Sequence, residues 1–192
     1  MINFGPLNKI MEIVQLHSKR FKKFISNGQL QNSIAEIVAK INQDYADKTP
    51  VFVGVLNGSF LFSADIIKEF NGNCEVAFIR LASYKGTAST GDVNQLMGLS
   101  IDLKGRDVIV LEDIVDTGNT LEVIMNTINL QSPNSIKIAT LLFKPDAYKK
   151  KYPVDYIAIE VGNDFLVGYG LDYDGLGRNL KDIYKIVENF LK

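Results

Sequence analysis

Val108-Ile109-Val110-Leu111-Glu112-Asp113-Ile114-Val115-Asp116-Thr117-Gly118-Asn119-Thr120-Leu121 is the stretch that decides the reading of this chain. Val108 to Leu111 is a continuous apolar run, as expected of a strand buried on both faces. Glu112, Asp113 and Asp116 then stand around a turn, followed by the small, hydroxylated Thr117–Thr120 segment. Leu121, Val123, Ile124 and Ile128 continue at helical spacing. A strand that ends in acids and opens a helix through a small-residue loop suits a phosphorylated sugar. Loop and helix N–H groups attract the phosphate, while carboxylates accept from ribose hydroxyls or hold a hard cation. The plain alternative is an ordinary strand–turn–helix connection with acids as caps. Capping accounts for one acid. It leaves Glu112 and Asp113 side by side at the end of an apolar run, where unpaired carboxylates repel each other and resist burial.

Outward from that stretch the chain alternates. Leu30, Ile34, Ile37, Val38 and Ile41 mark an amphipathic helix running to about Tyr45, and Thr49-Pro50 ends it. Val51 to Leu56 reads as a buried strand, Phe60 to Phe70 as a helix, and Glu75 to Leu81 as a strand. Val108–Leu111 and its helix follow, then a strand over Ile136–Phe143. This order predicts an α/β fold with a mainly parallel sheet flanked by helices. The strand-like runs Tyr156–Ile159 and Phe165–Val167 come close together and are expected to leave the main sheet as an excursion beside it. Residues 1–28 read as an N-terminal extension, with Ile10, Ile13, Val14 and His17 on one helix face, before a single domain over residues 29–192. Its basic cluster of Lys19, Arg20, Lys22 and Lys23 reads as a solvated face, with a nucleic-acid or membrane contact as the alternative.

A chain of 192 residues, 46% hydrophobic and 22% charged, buries a substantial core without staples. A net charge of −1 gives no overall drive toward nucleic acid or anionic membrane. Cys74 stands alone, which excludes an internal disulfide framework and suits a reducing, cytoplasmic compartment. With His17 it is too little for a zinc site. No apolar stretch of about 18 residues and no signal peptide is evident.

Further motifs fall at the expected carboxyl ends of strands, where open parallel sheets bind ligands. Leu56-Asn57-Gly58-Ser59 joins a strand to a helix with little bulk, so backbone can approach a ligand; many ordinary tight turns look the same. Lys144-Pro145 ends an apolar run, where a lysine is commonly plain surface. The polar segment from Ser83 and Tyr84 to Asp92 is either a solvated loop or a lid that excludes water. Phe165 to Tyr173 reads as a buried strand followed by a glycine-punctuated turn with one acid, Asp172.

The Glu112–Thr120 segment resembles the phosphoribosyl-pyrophosphate motif of the type I phosphoribosyltransferases. Asp116 makes it most similar to the 6-oxopurine, hypoxanthine-guanine branch, and Phe165–Asp172 is the second specific match. The resemblance covers residues 30–187. It implies the type I phosphoribosyltransferase fold with a small hood-like subregion from the N- and C-terminal segments. It also implies purine salvage: Mg2+-dependent transfer of the phosphoribosyl group from phosphoribosyl pyrophosphate to hypoxanthine or guanine, in a cytoplasmic homodimer or homotetramer.

Residue by residue, Glu112 and Asp113 would hold the ribose hydroxyls and, with Asp172, the metal. Thr117, Gly118, Asn119 and Thr120 would hold the 5′-phosphate. Asp116 would act on a purine ring nitrogen as general base or acid, and Lys144 would donate to O6. Phe165 would stack on the purine while backbone near Leu166 reads the base edge. Leu56, Asn57 and Gly58 would bind pyrophosphate through the backbone; many members carry lysine where this chain has Asn57. Arg178 would bind pyrophosphate, and Ser83-Tyr84 would lead the mobile lid. Phe165 rather than tryptophan favours hypoxanthine and guanine over xanthine, although the 6-oxo group of xanthine would satisfy the same lysine. The rival reading is a non-catalytic regulator that senses phosphoribosyl pyrophosphate and binds nucleic acid; Asp116 and the near-neutral charge weigh against it.

Overall fold

The computed structural model describes residues 13–82, 94–97, 99 and 101–187. Along the chain these form β1 (Ile13–Leu16), β2 (Lys19–Ile25), α1 (Asn27–Asp44), β3 (Val51–Leu56), α2 (Phe60–Glu69), β4 (Glu75–Ala82) and β5 (Asn94–Met97). There follow β6 (Asp107–Val115), α3 (Asn119–Asn129), β7 (Ser135–Phe143), β8 (Tyr156–Glu160), β9 (Leu166–Val167) and β10 (Ile183–Ile186).

The main sheet has the order β5-β4-β3-β6-β7-β8. Its five inner-to-far-edge strands pair in parallel, and β5 adds an antiparallel edge on β4. The sheet is hydrophobic on both faces because helices cover both. Period-two alternation sends Phe52, Ile109 and Leu111 toward Leu30, Ile34, Ile37 and Ile41 of α1 and Phe62 and Ile66 of α2. Val51, Val53, Val108 and Val110 point the other way, onto Leu121, Ile124 and Ile128 of α3. Each fully buried aliphatic side chain contributes on the order of 1.5–3 kcal/mol. The helix α1 starts at a capping box, in which Ser26 and Gln29 satisfy each other's backbone N–H groups. Strand order runs outward from β3 in one direction to β4 and in the other to β6. Their adjacent carboxyl ends are therefore the topological switch point, where an open sheet leaves a crevice.

A second sheet, β1-β2-β10-β9, is antiparallel and draws on both ends of the chain, forming the hood. Here the expectation of a helix over residues 1–28 is corrected: the described part is a hairpin, with Val14 facing Phe21 across it. Val14, Phe21 and Ile25 are buried while their neighbours are exposed or half-exposed, a period of two. The spacing of Ile13, Val14 and His17 matched one helical turn over too few residues to exclude that alternative. Ile10 lies outside the described residues. The expected excursion also shifts: β8 joins the main sheet beside β7, and the chain departs only afterwards, at β9. The polar segment from Ser83 and Tyr84 to Asp92 lies outside the described residues. No described helix is long and apolar enough to cross a membrane.

Candidate active site

Glu112 and Asp113 belong to β6, which runs on to Val115, and not to a turn as their position after the apolar run suggested. Ile114 and Val115 still pair in register with Leu142 and Phe143, so the strand carries its acids into the sheet. Alternation turns the two side chains to opposite faces. Glu112 is 5% exposed, and its Oε2 has no hydrogen-bond partner among the described residues. Burial, reinforced by the charge of Asp113, pushes its carboxyl well above the usual range. Burial likewise lifts Asp113 to about 6, against the backbone N–H of Ile114 and the Arg178 charge, with Asp172 adding to the rise. Two acids short of counter-charge at a strand end are poised for hydroxyl donors or a cation.

Beyond them, Glu112 to Leu121 line a cavity of about 270 Å³. Its floor is the start of α3, where Gly118 adopts φ +84° and no side chain caps the helix. Among the described residues no side chain bonds the N–H groups of that first turn, unlike those of α1. A Cβ on Gly118 would lie 2.5 Å from the ring of Tyr148 and 2.7 Å from Cγ of Lys150, so the loop is wedged against both. Lys150 in turn reaches Glu122 at 2.8 Å. Neither Tyr148 nor Lys150 stood out in sequence, because a tyrosine among lysines after a strand carries no spacing signal.

At the mouth of this cavity the Nζ of Lys144 donates to Oδ2 of Asp116 at 2.7 Å. The lysine side chain is 9% exposed and the aspartate 47%. The Lys144 N–H is itself bonded to the carbonyl of Val115, which fixes the strand end of β7 beside that of β6. An ammonium keeps further protons to donate beyond the one given to Asp116.

A third convergence joins the two sheets. The peptide between Leu56 and Asn57 is cis, and Gly58 follows in the loop after β3. A Cβ on Gly58 would lie 1.5 Å from Oδ2 of Asp113, and one on Gly170 would lie 2.0 Å from the Gly58 carbonyl oxygen. Asp113, Gly58 and the turn after β9 are therefore stacked in contact, and only glycine fits at each of those two positions. Arg178 spans the turn, donating to the Gly170 carbonyl at 2.7 Å and to Asp172 Oδ1 at 2.7 Å. Asp172 Oδ2 accepts from the Gly175 N–H at 2.7 Å.

Phe165 sits on the hood, 46% exposed, with its ring edge-on to Tyr173 at 5.8 Å and 6.3 Å from Phe21. Leu166 beside it is buried. The site residues thus gather as three contacting sets: Glu112 with Asp113; Asp116 with Lys144; and Gly58, Asp113, Gly170, Asp172 and Arg178. Phe165 and Leu166 stand on the hood, Phe165 against Phe21 and Tyr173. Among the described residues no three acids, histidines or cysteines form a direct metal cage.

Residues 26–174 match the family model described as a phosphoribosyl transferase domain. A hypoxanthine phosphoribosyltransferase of Haemophilus influenzae is 41% identical over 167 residues, covering 85% of this chain and 93% of its own length. A hypoxanthine-guanine phosphoribosyltransferase of Staphylococcus epidermidis is 39% identical over 166 residues, 86% of this chain and 93% of its own. Among solved structures, a hypoxanthine-guanine phosphoribosyltransferase from Bacillus anthracis superposes with a TM-score of 0.81 at 35% identity, covering 86% of this chain and 98% of that one. A hypoxanthine phosphoribosyltransferase from Staphylococcus aureus gives 0.83 at 34% identity, with 95% and 97% covered.

Proposed function

Because the chain belongs to the phosphoribosyltransferase family, we propose that it is a purine-salvage enzyme. It transfers the phosphoribosyl group of phosphoribosyl pyrophosphate to hypoxanthine or guanine, giving the nucleoside monophosphate and pyrophosphate. The observation that carries the 6-oxopurine assignment is the Lys144–Asp116 pair at 2.7 Å beside an uncapped helix start. A donor-only ammonium suits a purine carbonyl and disfavours the amino group of adenine. In this reading the carboxylate it holds exchanges a proton with the ring nitrogen of the base.

In this reading the N–H groups of Thr117–Thr120 and the first turn of α3 hold the 5′-phosphate. Glu112 and Asp113 accept from the ribose hydroxyls, which supply the hydrogen bond that the buried Glu112 Oε2 lacks among the described residues. Leu56, Asn57 and Gly58 present backbone to the pyrophosphate, and Arg178 presents its fork. As the ribose–oxygen bond breaks and the base nitrogen bonds to the sugar carbon, negative charge gathers on the departing pyrophosphate. Arg178 stabilises that charge. Phe165 offers an exposed face for stacking, with backbone near Leu166 at the base edge. Ser83 and Tyr84 lead the segment that would cover the site and keep water from the reacting sugar carbon.

The donor set fits Mg2+ in its usual mode of one or two carboxylates, waters and substrate phosphates. Asp172, with Asp113 near enough to feel its charge, is the side to which such an ion would attach. When bound it would supply positive charge to the pyrophosphate oxygens. As part of this proposal the enzyme is a cytoplasmic homodimer or homotetramer, as the family resemblance implies, and its lone cysteine suits a reducing compartment.

The test is nucleotide formation from phosphoribosyl pyrophosphate with Mg2+, run in parallel with hypoxanthine, guanine, xanthine and adenine. Turnover with 6-oxopurines and not adenine is expected. Tight phosphoribosyl pyrophosphate binding with no turnover on any base would overturn the assignment.

A further inference from the structure

Tyr169 sits between Gly168 and Gly170 in the turn that carries Asp172 and faces Arg178, yet its own side chain leaves the site. Its backbone has φ +47°, a conformation that bulky L residues rarely adopt and that glycine or asparagine would take more easily. Something about the side chain must offset that cost. The ring is buried, 3% exposed, and the hydroxyl donates to Oδ2 of Asp65. Gln31 Nε2 donates both to the Tyr169 oxygen at 3.1 Å and to Asp65 Oδ2 at 3.0 Å. Lys68 closes the cluster on Asp65 Oδ1 at 2.7 Å. Burial alone would raise the Asp65 carboxyl, but the bonds from Lys68, Tyr169 and Gln31 outweigh it and hold it below its ordinary value. Asp65 is therefore a charged acceptor, and hydrogen bonds to charged acceptors are the strong ones.

The position of this cluster in the chain gives it a consequence. Asp65 belongs to α2, the helix that continues directly from the loop Leu56–Ser59, while Tyr169 belongs to the turn between β9 and β10. Those two segments meet at one point, Gly170 on Gly58, with Asp113 beneath. The hydroxyl bond is thus a second fastening between the same two pieces of chain, one that touches no substrate.

We propose that Tyr169 and Asp65 are positioning residues for the pyrophosphate end of the site, holding the Gly58 loop and the Arg178–Asp172 turn at their working separation. The inference rests on the phosphoribosyl-transfer reading above. It predicts a selective defect, because the 5′-phosphate cradle at α3 and the Lys144–Asp116 pair lie on other elements. Tyr169→Phe keeps the ring and its packing and removes only the fastening. It should weaken binding of Mg2+-pyrophosphate by roughly 10-fold, the scale of one lost charge-assisted bond. Binding of the nucleoside monophosphate, which carries phosphate, ribose and base but no pyrophosphate, should stay within about two-fold by the same reasoning.

The experiment is calorimetric titration of the full chain with Mg2+-pyrophosphate and, separately, with inosine monophosphate. Asp65→Ala serves as the second variant, since it removes the same bond from the opposite side and should show the same selective loss. A double variant no weaker for pyrophosphate than either single one would place both residues in one unit. Equal loss of both ligands, or unchanged pyrophosphate binding in Tyr169→Phe and Asp65→Ala, would overturn the link while leaving the enzyme assignment standing. A parent protein that binds neither ligand would overturn the assignment itself, and the link with it.

Discussion

At the scale of single residues, Asp116 and Glu112 are both carboxylates but their surroundings divide the labour. Asp116 is half exposed and tethered by Lys144, and in the proposed reading it exchanges a proton with the base. Asp116→Asn keeps the shape and a weaker contact to the lysine. It should cut turnover by about 10²–10⁴-fold while leaving affinity for phosphoribosyl pyrophosphate nearly unchanged. Single-turnover rates alongside ligand titration would check this, and an unchanged rate would remove Asp116 from the chemistry. Glu112 is instead sealed into the strand end with an oxygen that no described residue satisfies. Glu112→Gln removes the option of a buried charge, so the ligand-free protein should gain on the order of 1 kcal/mol. The same change should shrink the rise in melting temperature that phosphoribosyl pyrophosphate produces. Thermal melts with and without ligand read both effects; a variant less stable without ligand and equally stabilised by it would refute the role.

Elements set the next level, and the start of α3 shows it best. α1 closes its own N-terminus with a capping box, whereas α3 begins at a left-handed glycine with no side-chain cap. Gly118→Ala forces a Cβ against Tyr148 at a backbone angle that costs an L residue about 1–2 kcal/mol. The loop must then shift, and affinity should fall by roughly 10-fold or more for phosphoribosyl pyrophosphate and nucleotide alike, since both present a 5′-phosphate. That uniform loss is the opposite signature to the selective one expected of Tyr169→Phe, and the same pair of titrations separates them. α2 supplies a pH-dependent counterpart. The Asp65 carboxyl is held below its ordinary 3.8, so its contribution to stability is full above that value and lost as pH falls through the lower folded one. Melting curves from pH 5 downward should show an acid loss that Asp65→Asn lacks.

Sequence made these elements legible unevenly. α1, α2 and α3 carry helical periodicity, β3 and β7 carry continuous apolar runs, and the acid–loop–helix order of residues 112–120 is plain. The hairpin β1–β2 is hidden because the spacing of Ile13, Val14 and His17 suits one helical turn as well as a strand, and β10 because it is four residues long with its partner β2 far along the chain. Tyr169–Asp65, 104 residues apart, left no local trace at all.

On the scale of the whole molecule, the proposed site is shared between two sheets that the chain closes late. The main sheet carries the acids, the phosphate cradle and Lys144; the hood carries Phe165, Asp172 and Arg178. The hood in turn depends on residues near the start of the chain, since β10 pairs with β2 on one side and β9 on the other. Phe21, on β2, is fully buried at the centre of this sheet and packs against Phe165, the ring expected to stack on the base, at 6.3 Å and against Tyr173 at 5.9 Å. Phe21→Ala should cost about 3–5 kcal/mol from the lost burial and the cavity left behind. For a chain of this size that lowers the melting temperature by roughly 6–20 °C. If the hood were only a lid on an independent site, the loss would end there. Because Phe165 rests edge-on to Tyr173 and both rest on Phe21, the stacking ring should also lose its fixed placement. The KM for hypoxanthine should then rise several-fold, well below the melting temperature, while that for phosphoribosyl pyrophosphate moves less. Steady-state kinetics at low temperature would show it. A destabilised variant with unchanged KM for the base would mean that Phe165 holds its place without the N-terminal strand.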